Sequence, residues 1–442
     1  MTSVVENNGF LRCGDLFAGG GGTTEGALQV PGVKVVWALN HSDIAIATHS
    51  ANHPETVHYK EDIRVQRVEV LEPVDLLWAS LECTNFSNAK GGKPRDADSR
   101  SLAWELPRYI THCTPDVIMI ENVKEFMSWG PLDENGKPVS KLAGSEYVKW
   151  VEYVKEMGYP YFEWRILNSA DFGAYTSRRR FFAVFSKFPY SWPSPTHFKD
   201  GINGHKWKAC REKIDLSNEG NSIFGRELNE KIRKPHRRPL SANTLRRIAG
   251  GLKKFAPEMY FLMCYFGSGN NCHSLTSPAP TILSRGDGKD GMALVKAEKL
   301  QFITDHCQID YHSELDQPLA TQLTRQTKQF ISATFNSNNK PEANNKSVDE
   351  PLNAVLTREK FQFISSYLEN KVHELHELTQ IDFDFDIKMR FLTAKELADI
   401  TGFREGYEFK GNTKQVIWQI GNAVPPVLSK VMIEAAKNKA KI

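Results

Sequence analysis

The stretch Asp15-Leu-Phe-Ala-Gly-Gly-Gly-Gly-Thr-Thr-Glu-Gly26 decides the fold. It follows directly on an apolar run, Phe10–Phe17, that reads as a strand. Four consecutive glycines let the backbone turn tightly and approach a ligand closely. A helix after them points its N-terminus at whatever binds there. Alone, this is also compatible with a plain tight turn, and it lacks the G-x-G-x-x-G spacing and distal acid of a dinucleotide site. Outward from it, further strands are predicted at Val33–Leu39, Val74–Ala79, Asp116–Ile120, Tyr161–Leu167 and Phe181–Ser186. Amphipathic stretches separate them at Ser42–Asn52, Leu102–Cys113 and Ser145–Met157. Apolar strands alternating with helices predict a parallel sheet covered on both faces. Ligands on such sheets bind at the carboxyl ends of the strands.

Three more motifs fall at predicted strand ends. Ala79-Ser-Leu-Glu-Cys83-Thr-Asn-Phe-Ser87 places a thiol there, ahead of a loop with Gly91, Gly92, Lys93, Pro94 and Arg95. A lone cysteine is more often a small buried hydrophobe than a nucleophile. Ile120-Glu121-Asn122-Val123 places a carboxylate at the end of a buried strand. Burial there raises its pKa, as a general acid requires; a surface glutamate or helix cap is the plainer alternative. Thr176-Ser-Arg178-Arg-Arg180 sets three arginines before a strand. Alternation along it points Arg178 and Arg180 together, although an exposed basic turn reads the same.

The texture changes after Lys187. Pro278-Ala-Pro-Thr-Ile-Leu-Ser-Arg285 resembles Pro318-Leu-Ala-Thr-Gln-Leu-Thr-Arg325 and Pro351-Leu-Asn-Ala-Val-Leu-Thr-Arg358. Each copy reads as a turn and a short strand, which predicts a small β-rich domain. Arg285, Arg325 and Arg358 could line one face of it. The tail from Arg390 to Ile442 returns to helical patterning, with Thr393-Ala-Lys-Glu396 in capping-box form.

The 442 residues exceed one ordinary core and predict one large and one smaller domain. No run of 18 apolar residues or signal-peptide pattern is present in the sequence, and seven scattered cysteines without a CxxC pair suggest neither zinc nor a disulfide framework. The expected setting is cytoplasmic and reducing. Histidines 41, 49, 53 and 58 have no second ligand set beside them, so no metal is expected. The net charge of +3 is small, but Arg226, Lys231, Arg233, Lys234, Arg237, Arg238, Arg246, Arg247, Lys253 and Lys254 cluster within 225–254. Such a cluster suits phosphates, and a solvated basic face is the plainer reading.

Taken in order, these motifs resemble the cytosine-5 DNA methyltransferase family, bacterial and phage type, along nearly the whole chain. DLFAGGGG resembles its S-adenosylmethionine loop, SLECTNFS its nucleophile loop, IENV its ENV motif and TSRRR its Q-x-R-x-R motif. Gly421-Asn-Ala-Val-Pro-Pro426 resembles its last motif, and Arg238–Ile248 a segment of bacterial and phage members. The resemblance implies an α/β Rossmann-like methyltransferase core with a smaller β-rich target-recognition domain. The expected division is a catalytic domain over 1–250, a target-recognition domain over 251–385 and a returning segment over 386–442. It implies S-adenosylmethionine as cofactor, double-stranded DNA as partner, and a monomer with no membrane or metal.

Carried onto this chain, the resemblance makes Phe17, Gly20, Gly22, His41, Asp62, Ile63, Leu102, Asn422 and Val424 cofactor-binding. It makes Cys83, Glu121, Arg180 and Arg178 catalytic. Cys83 would attack cytosine C6, Glu121 would protonate N3, and Arg180 would pair with the base carbonyl. The base must be flipped out of the duplex, at a cost of roughly a few kcal/mol. Four positions depart from the family pattern: His41 stands where many relatives carry a ribose-binding Glu, Glu82 and Thr84 replace the Pro and Gln flanking the nucleophile, and Thr176 replaces the first Gln of the arginine motif. An ionised Glu82 beside the sulfur would disfavour thiolate; turned away, it could pair with Arg95 or Arg100. An RNA cytosine-5 methyltransferase and a catalytically weak DNA-binding protein are the alternatives on the same fold.

Overall fold

The computed structural model describes residues 9–82, 102–131, 133–134, 139–223, 240–241, 243–245, 247–248, 251, 260–265, 271–282, 291–299, 302–305, 311–314 and 385–438. Two compact units make up the chain. The first comprises Met1–Ile214, Thr276–Gly288 and Thr393–Ile442; the second comprises Asp215–Leu275 and Lys289–Leu392.

The first unit is built on a seven-stranded sheet. Its strands are β1 (Leu11–Leu16), β2 (Val33–Leu39), β3 (Val57–Tyr59), β4 (Leu76–Ser80), β5 (Val117–Asn122), β6 (Tyr161–Asn168) and β8 (Arg179–Ser186), with the short β7 (Thr176–Ser177) outside it. The order is β3-β2-β1-β4-β5-β8-β6. The central strands are largely apolar because both faces are covered. In β4, Leu77 and Ala79 enter one core, and Leu76 and Trp78 enter the other. In β5, Ile118 and Ile120 divide from Val117 and Met119 in the same way. Helices α3 (Leu106–Cys113) and α4 (Ser145–Glu156) cover the first face with Tyr109, Ile110, Trp150 and Val154. Helices α1 (Gly22–Ala27) and α7 (Pro426–Lys437) cover the second with Ala27, Leu428, Met432 and Ile433. Helix α2 (Asp43–Asn52) starts at Ser42, whose hydroxyl accepts from the Ala45 amide.

The sheet is mixed, which corrects the expectation of a parallel one. Strands β1 to β5 are parallel, but β8 runs antiparallel to β5 and β6 antiparallel to β8. The reversal has a consequence for chemistry. Residues at the start of β8 meet the carboxyl end of β5, so Asn122 lies opposite Phe181 and Glu121 opposite Phe182. A second correction concerns the first copy of the repeat. Its Ala279-Pro280 pairs in parallel with β7 inside the first unit, and does not build the smaller sheet. The copies at 318–325 and 351–358, Arg285, and most of the 225–254 cluster lie outside the described residues.

The tail contributes α5 (Ala394–Thr401), α6 (Thr413–Asn422) and α7. Thr393 and Glu396 form the expected reciprocal capping box. Thr413–Lys437 is long and apolar enough to cross a bilayer. It is interrupted at Ala423–Pro425, however, and α7 buries Leu428, Met432, Ile433 and Ala436 in the core.

Gly26 lets α1 approach α7 closely. A β-carbon there would overlap the Pro426 carbonyl oxygen and Ser429 Oγ. Backbone on one side leaves no flexible atom to yield. Gly26→Ala is expected to cost about 3 kcal/mol and lower the thermal midpoint by about 5–10 °C. Calorimetric melting of the purified variant checks this; an unchanged midpoint would mean the helices part without cost.

Among the described residues, the second unit has a five-stranded antiparallel sheet. It is ordered 221–222, 385–391, 292–299, 260–264 and 272–274. Phe261, Met263, Val295, Ile387 and Met389 pack in its core. Lys296 and Lys388 both bind Glu219, with Lys388 at 2.7 Å. Because Asn221–Ser222 pairs with Lys388 and Met389, the unit begins at Asp215, ahead of the expected boundary at residue 250.

Candidate active site

Glu121 stands at the carboxyl end of β5 and is 7% exposed. Burial raises its pKa above the usual carboxylate range, while the Arg180 and Arg178 charges pull it back. Arg180 Nε lies 3.4 Å from Glu121 Oε1. Arg178 is buried and anchored: its Nη1 donates to the Gly421 carbonyl at 2.8 Å and the Ile282 carbonyl at 3.4 Å. Its backbone amide donates to Ser169 Oγ at 3.1 Å. The two arginines therefore act on one carboxylate from different supports, Arg180 as direct partner and Arg178 as a strut to the C-terminal segment. Ser80 of β4 is the register partner of Glu121. The chain leaves β4 beside the acid, and Asn122 Nδ2 holds the Leu81 carbonyl at 3.3 Å. Cys83, two residues on, lies outside the described residues, as does the loop over Asn88–Ser99.

A cavity of about 430 Å³ opens at the ends of β1, β2 and β4. Phe17, His41, Asp62, Ile63 and Leu102 line it, together with Leu39, Asn40, Glu61, Arg64 and Glu82. Phe17 adopts φ 59°, a left-handed conformation unusual for a bulky residue and of the kind that marks binding sites. Asp62 is held by Arg64, which donates from its amide and Nε to Oδ1 and from Nη2 to Oδ2. That keeps its carboxyl down at about 2.

Gly20, Gly22, Asn422 and Val424 are not among the lining residues. A β-carbon on Gly20 would sit 2.9 Å from Gln419 Oε1, and one on Gly22 would overlap the Val424 carbonyl. Val424 is buried in the core, and Asn422 is exposed at the end of α6. These glycines are required by the C-terminal segment pressed against their loop.

A sequence profile of the C-5 cytosine-specific DNA methylases matches residues 11–248 and 292–438. The chain belongs to that family. Among its curated relatives, the type II methyltransferase M.Bsp6I of Bacillus sp. (strain RFL6) is 30% identical over 204 residues. That match covers 44% of this chain and 60% of the relative. M.AquIA of Picosynechococcus sp. (strain ATCC 27264 / PCC 7002 / PR-6) is 28% identical over 200 residues, covering 41% and 75%. The chain thus spans about 60% of the length of M.Bsp6I. The solved structure of S. pombe Dnmt2 methyltransferase aligns with a TM-score of 0.47 at 14% identity, over 96% of each chain.

In this member of the family the glycine loop rests on a buried polar network that sequence reasoning missed. Thr24 Oγ1 donates to Asp15 Oδ2 at 3.1 Å, and burial pushes the Asp15 carboxyl up to about 7. His49 bridges Thr24 Oγ1 at 3.0 Å and His58 Nε2 at 2.8 Å. Tyr407 donates to the Gly20 carbonyl at 2.6 Å, so His53 Nε2, 3.1 Å from the same hydroxyl, must be the donor of that pair. Arg404 pairs with buried Glu25. Burial lowers the His49 and His53 pKa values, His53 to about 4, so both are neutral at pH 7. Helical spacing in α2 could have revealed His49 and His53 as neighbours; the partners from residue 404 onward are more than 350 positions away.

Proposed function

We propose that this chain transfers a methyl group from S-adenosylmethionine to carbon 5 of a cytosine flipped out of duplex DNA. The observation that carries the reading is the buried Glu121–Arg180 pair beside the end of β4. A carboxyl whose pKa is raised by burial can hold a proton for cytosine N3. The guanidinium next to it suits the neighbouring carbonyl oxygen of the same base edge. Cys83 follows β4 by three residues and is assigned the attack on C6. Addition at C6 with protonation at N3 makes C5 an enamine-like nucleophile. C5 then takes the methyl group as the S–CH3 bond of the sulfonium breaks to leave a neutral thioether. Loss of the C5 proton to a base lets the C6–S bond break and returns the thiolate.

The cavity residues fit the cofactor. Phe17, Ile63 and Leu102 offer apolar surface for an adenine ring, and Asp62 offers a carboxylate at its edge. The volume lies in the usual range for ligand sites. Bound there, S-adenosylmethionine supplies a methyl group on an electrophilic sulfonium. We assign reading of the duplex to the second unit, in support of which the basic run of 225–254 falls within its span.

The test is transfer from methyl-labelled S-adenosylmethionine to duplex DNA and, separately, to RNA, followed by digestion to nucleosides. The expected label is in 5-methyldeoxycytidine. Label on an exocyclic amine, or in RNA alone, would overturn the reading. Bisulfite sequencing of the methylated DNA then identifies the recognition sequence.

A further inference from the structure

We infer that Tyr407 is a positioning residue for the cofactor: its hydroxyl fixes one peptide plane of the glycine loop and, through it, the seat of Phe17 in the cavity. This role rests on the cofactor reading above. A run of four glycines has no side chain of its own to hold its peptide planes. One plane is held from both sides. The Gly21 amide donates to the Ala18 carbonyl at 3.1 Å and closes a turn over Ala18–Gly21. In a planar trans peptide the Gly20 carbonyl points the opposite way. That carbonyl accepts from the Tyr407 hydroxyl at 2.6 Å. The loop is shaped to receive the hydroxyl: Gly21 has φ 93°, and a β-carbon on it would overlap Tyr407 Oη.

The turn begins directly after Phe17. Its first residue, Ala18, donates its amide to the Leu39 carbonyl at 3.1 Å. Phe17 and Leu39 both line the cavity. Phe17 itself sits at φ 59°. A bulky residue keeps such a conformation only where its surroundings hold it there. The turn is one of those holds, and Tyr407 is the part of it supplied from the far end of the chain. A flip of the peptide between Gly20 and Gly21 would break both hydrogen bonds and release the backbone ahead of it.

Tyr407 can act this way because it is itself held. It lies between α5 and α6, on a segment fastened to α2. Asn52 Nδ2 donates to the Glu408 carbonyl at 2.8 Å, and Asn52 Oδ1 accepts from the Glu408 amide at 2.9 Å. The Lys410 amide donates to Thr48 Oγ1 at 2.9 Å. Arg404 pairs with Glu25 in α1, the helix that follows the loop. The Tyr407 ring packs between Phe403 and Phe409, with centroids 4.7 and 5.1 Å away. His53 Nε2, 3.1 Å from Tyr407 Oη, donates to it and leaves the hydroxyl proton for Gly20. The hydroxyl is therefore fixed in place and in direction.

The experiment compares the full-length wild type with Tyr407→Phe, which keeps the ring and removes only the hydroxyl, and with Asn52→Ala, which loosens the segment and keeps the hydroxyl. Titration calorimetry with S-adenosylhomocysteine, affinity for duplex DNA and hydrogen exchange of the Gly21 amide are measured, with thermal melting to establish folding. Tyr407→Phe is expected to weaken S-adenosylhomocysteine about tenfold, the scale of one hydrogen bond. Asn52→Ala is expected to weaken it less, by about threefold. Exchange of the Gly21 amide should quicken about tenfold in Tyr407→Phe, while duplex affinity stays within twofold. A merely structural role would lower both affinities alike, and that result would overturn the proposal. So would a folded Tyr407→Phe that binds S-adenosylhomocysteine within twofold of wild type, or one whose Gly21 amide exchanges no faster. Where Tyr407→Phe does not fold, Asn52→Ala decides, and wild-type affinity in that variant overturns the role. A wild type that binds no S-adenosylhomocysteine would overturn the cofactor reading as well, so the two failures are distinct.

Discussion

Cys83→Ala is expected to reduce methyl transfer to cytosine by at least about 10⁴-fold, the scale on which loss of a covalent nucleophile is felt. Without addition at C6, C5 stays part of an aromatic ring and cannot accept a methyl group. The described cysteines of the first unit are not placed to take over. Cys13 and Cys113 are buried in the two cores of the first unit, and burial drives both thiols up, Cys113 to about 12. Cys210 is likewise fully buried and pushed to about 12. A second readout separates loss of the nucleophile from loss of fold or binding. In duplexes carrying 5-fluorocytosine there is no C5 proton to remove, so elimination stops and the protein stays covalently attached. Wild type should give a DNA adduct stable to denaturing electrophoresis, and Cys83→Ala should give none while binding the same duplex. Transfer that survives the substitution would end the covalent mechanism.

Where the sequence can be read and where it cannot follows a physical line. Strands β1, β2, β4, β5 and β8 are legible within a few residues because they are largely apolar runs, a pattern that comes from burial on both faces, and β6, a mostly exposed edge strand, is legible by its aromatic and aliphatic residues. β3, Val-His-Tyr, was not legible: three residues beside a neighbour do not make an apolar run. The direction of β8 was hidden as well, because apolar alternation is the same read either way. Yet this direction brings Arg180 to Glu121. At the site, Phe17, His41, Asp62, Ile63 and Leu102 lie around one cavity. Gly20 and Gly22 are explained by Gln419 and Val424, some 400 residues away in sequence. No local pattern carries such a contact. The same holds for Arg178, whose charge acts on Glu121 while its guanidinium is held by carbonyls at 282 and 421. Glu82 was legible only as an irregularity; its direction toward His41 belongs to the fold.

Glu121→Gln is the second large effect expected, a fall of about 10²–10³-fold in transfer rate, within the range for loss of a general acid. The amide fills the same volume at the end of β5 and can still hydrogen-bond, but it cannot deliver a proton to N3. Position and proton are thereby separated: Glu121→Ala, which removes both, should be slower still. The pH dependence carries the sign. Burial raises the Glu121 pKa, and the Arg180 and Arg178 charges only partly oppose it. The protonated acid is therefore lost as pH rises through that raised value, and the wild-type rate should decline there. In the Glu121→Gln variant this declining limb should vanish and leave a lower, flatter profile. Arg180→Lys sharpens the assignment. Its point charge still lowers the acid, but it lacks the planar fork that pairs with a base edge. It should preserve the limb while weakening the hold on the flipped cytosine, seen as a higher KM for DNA. A Glu121→Gln profile that keeps the wild-type limb would place the titrating group elsewhere and remove Glu121 from the role of proton donor.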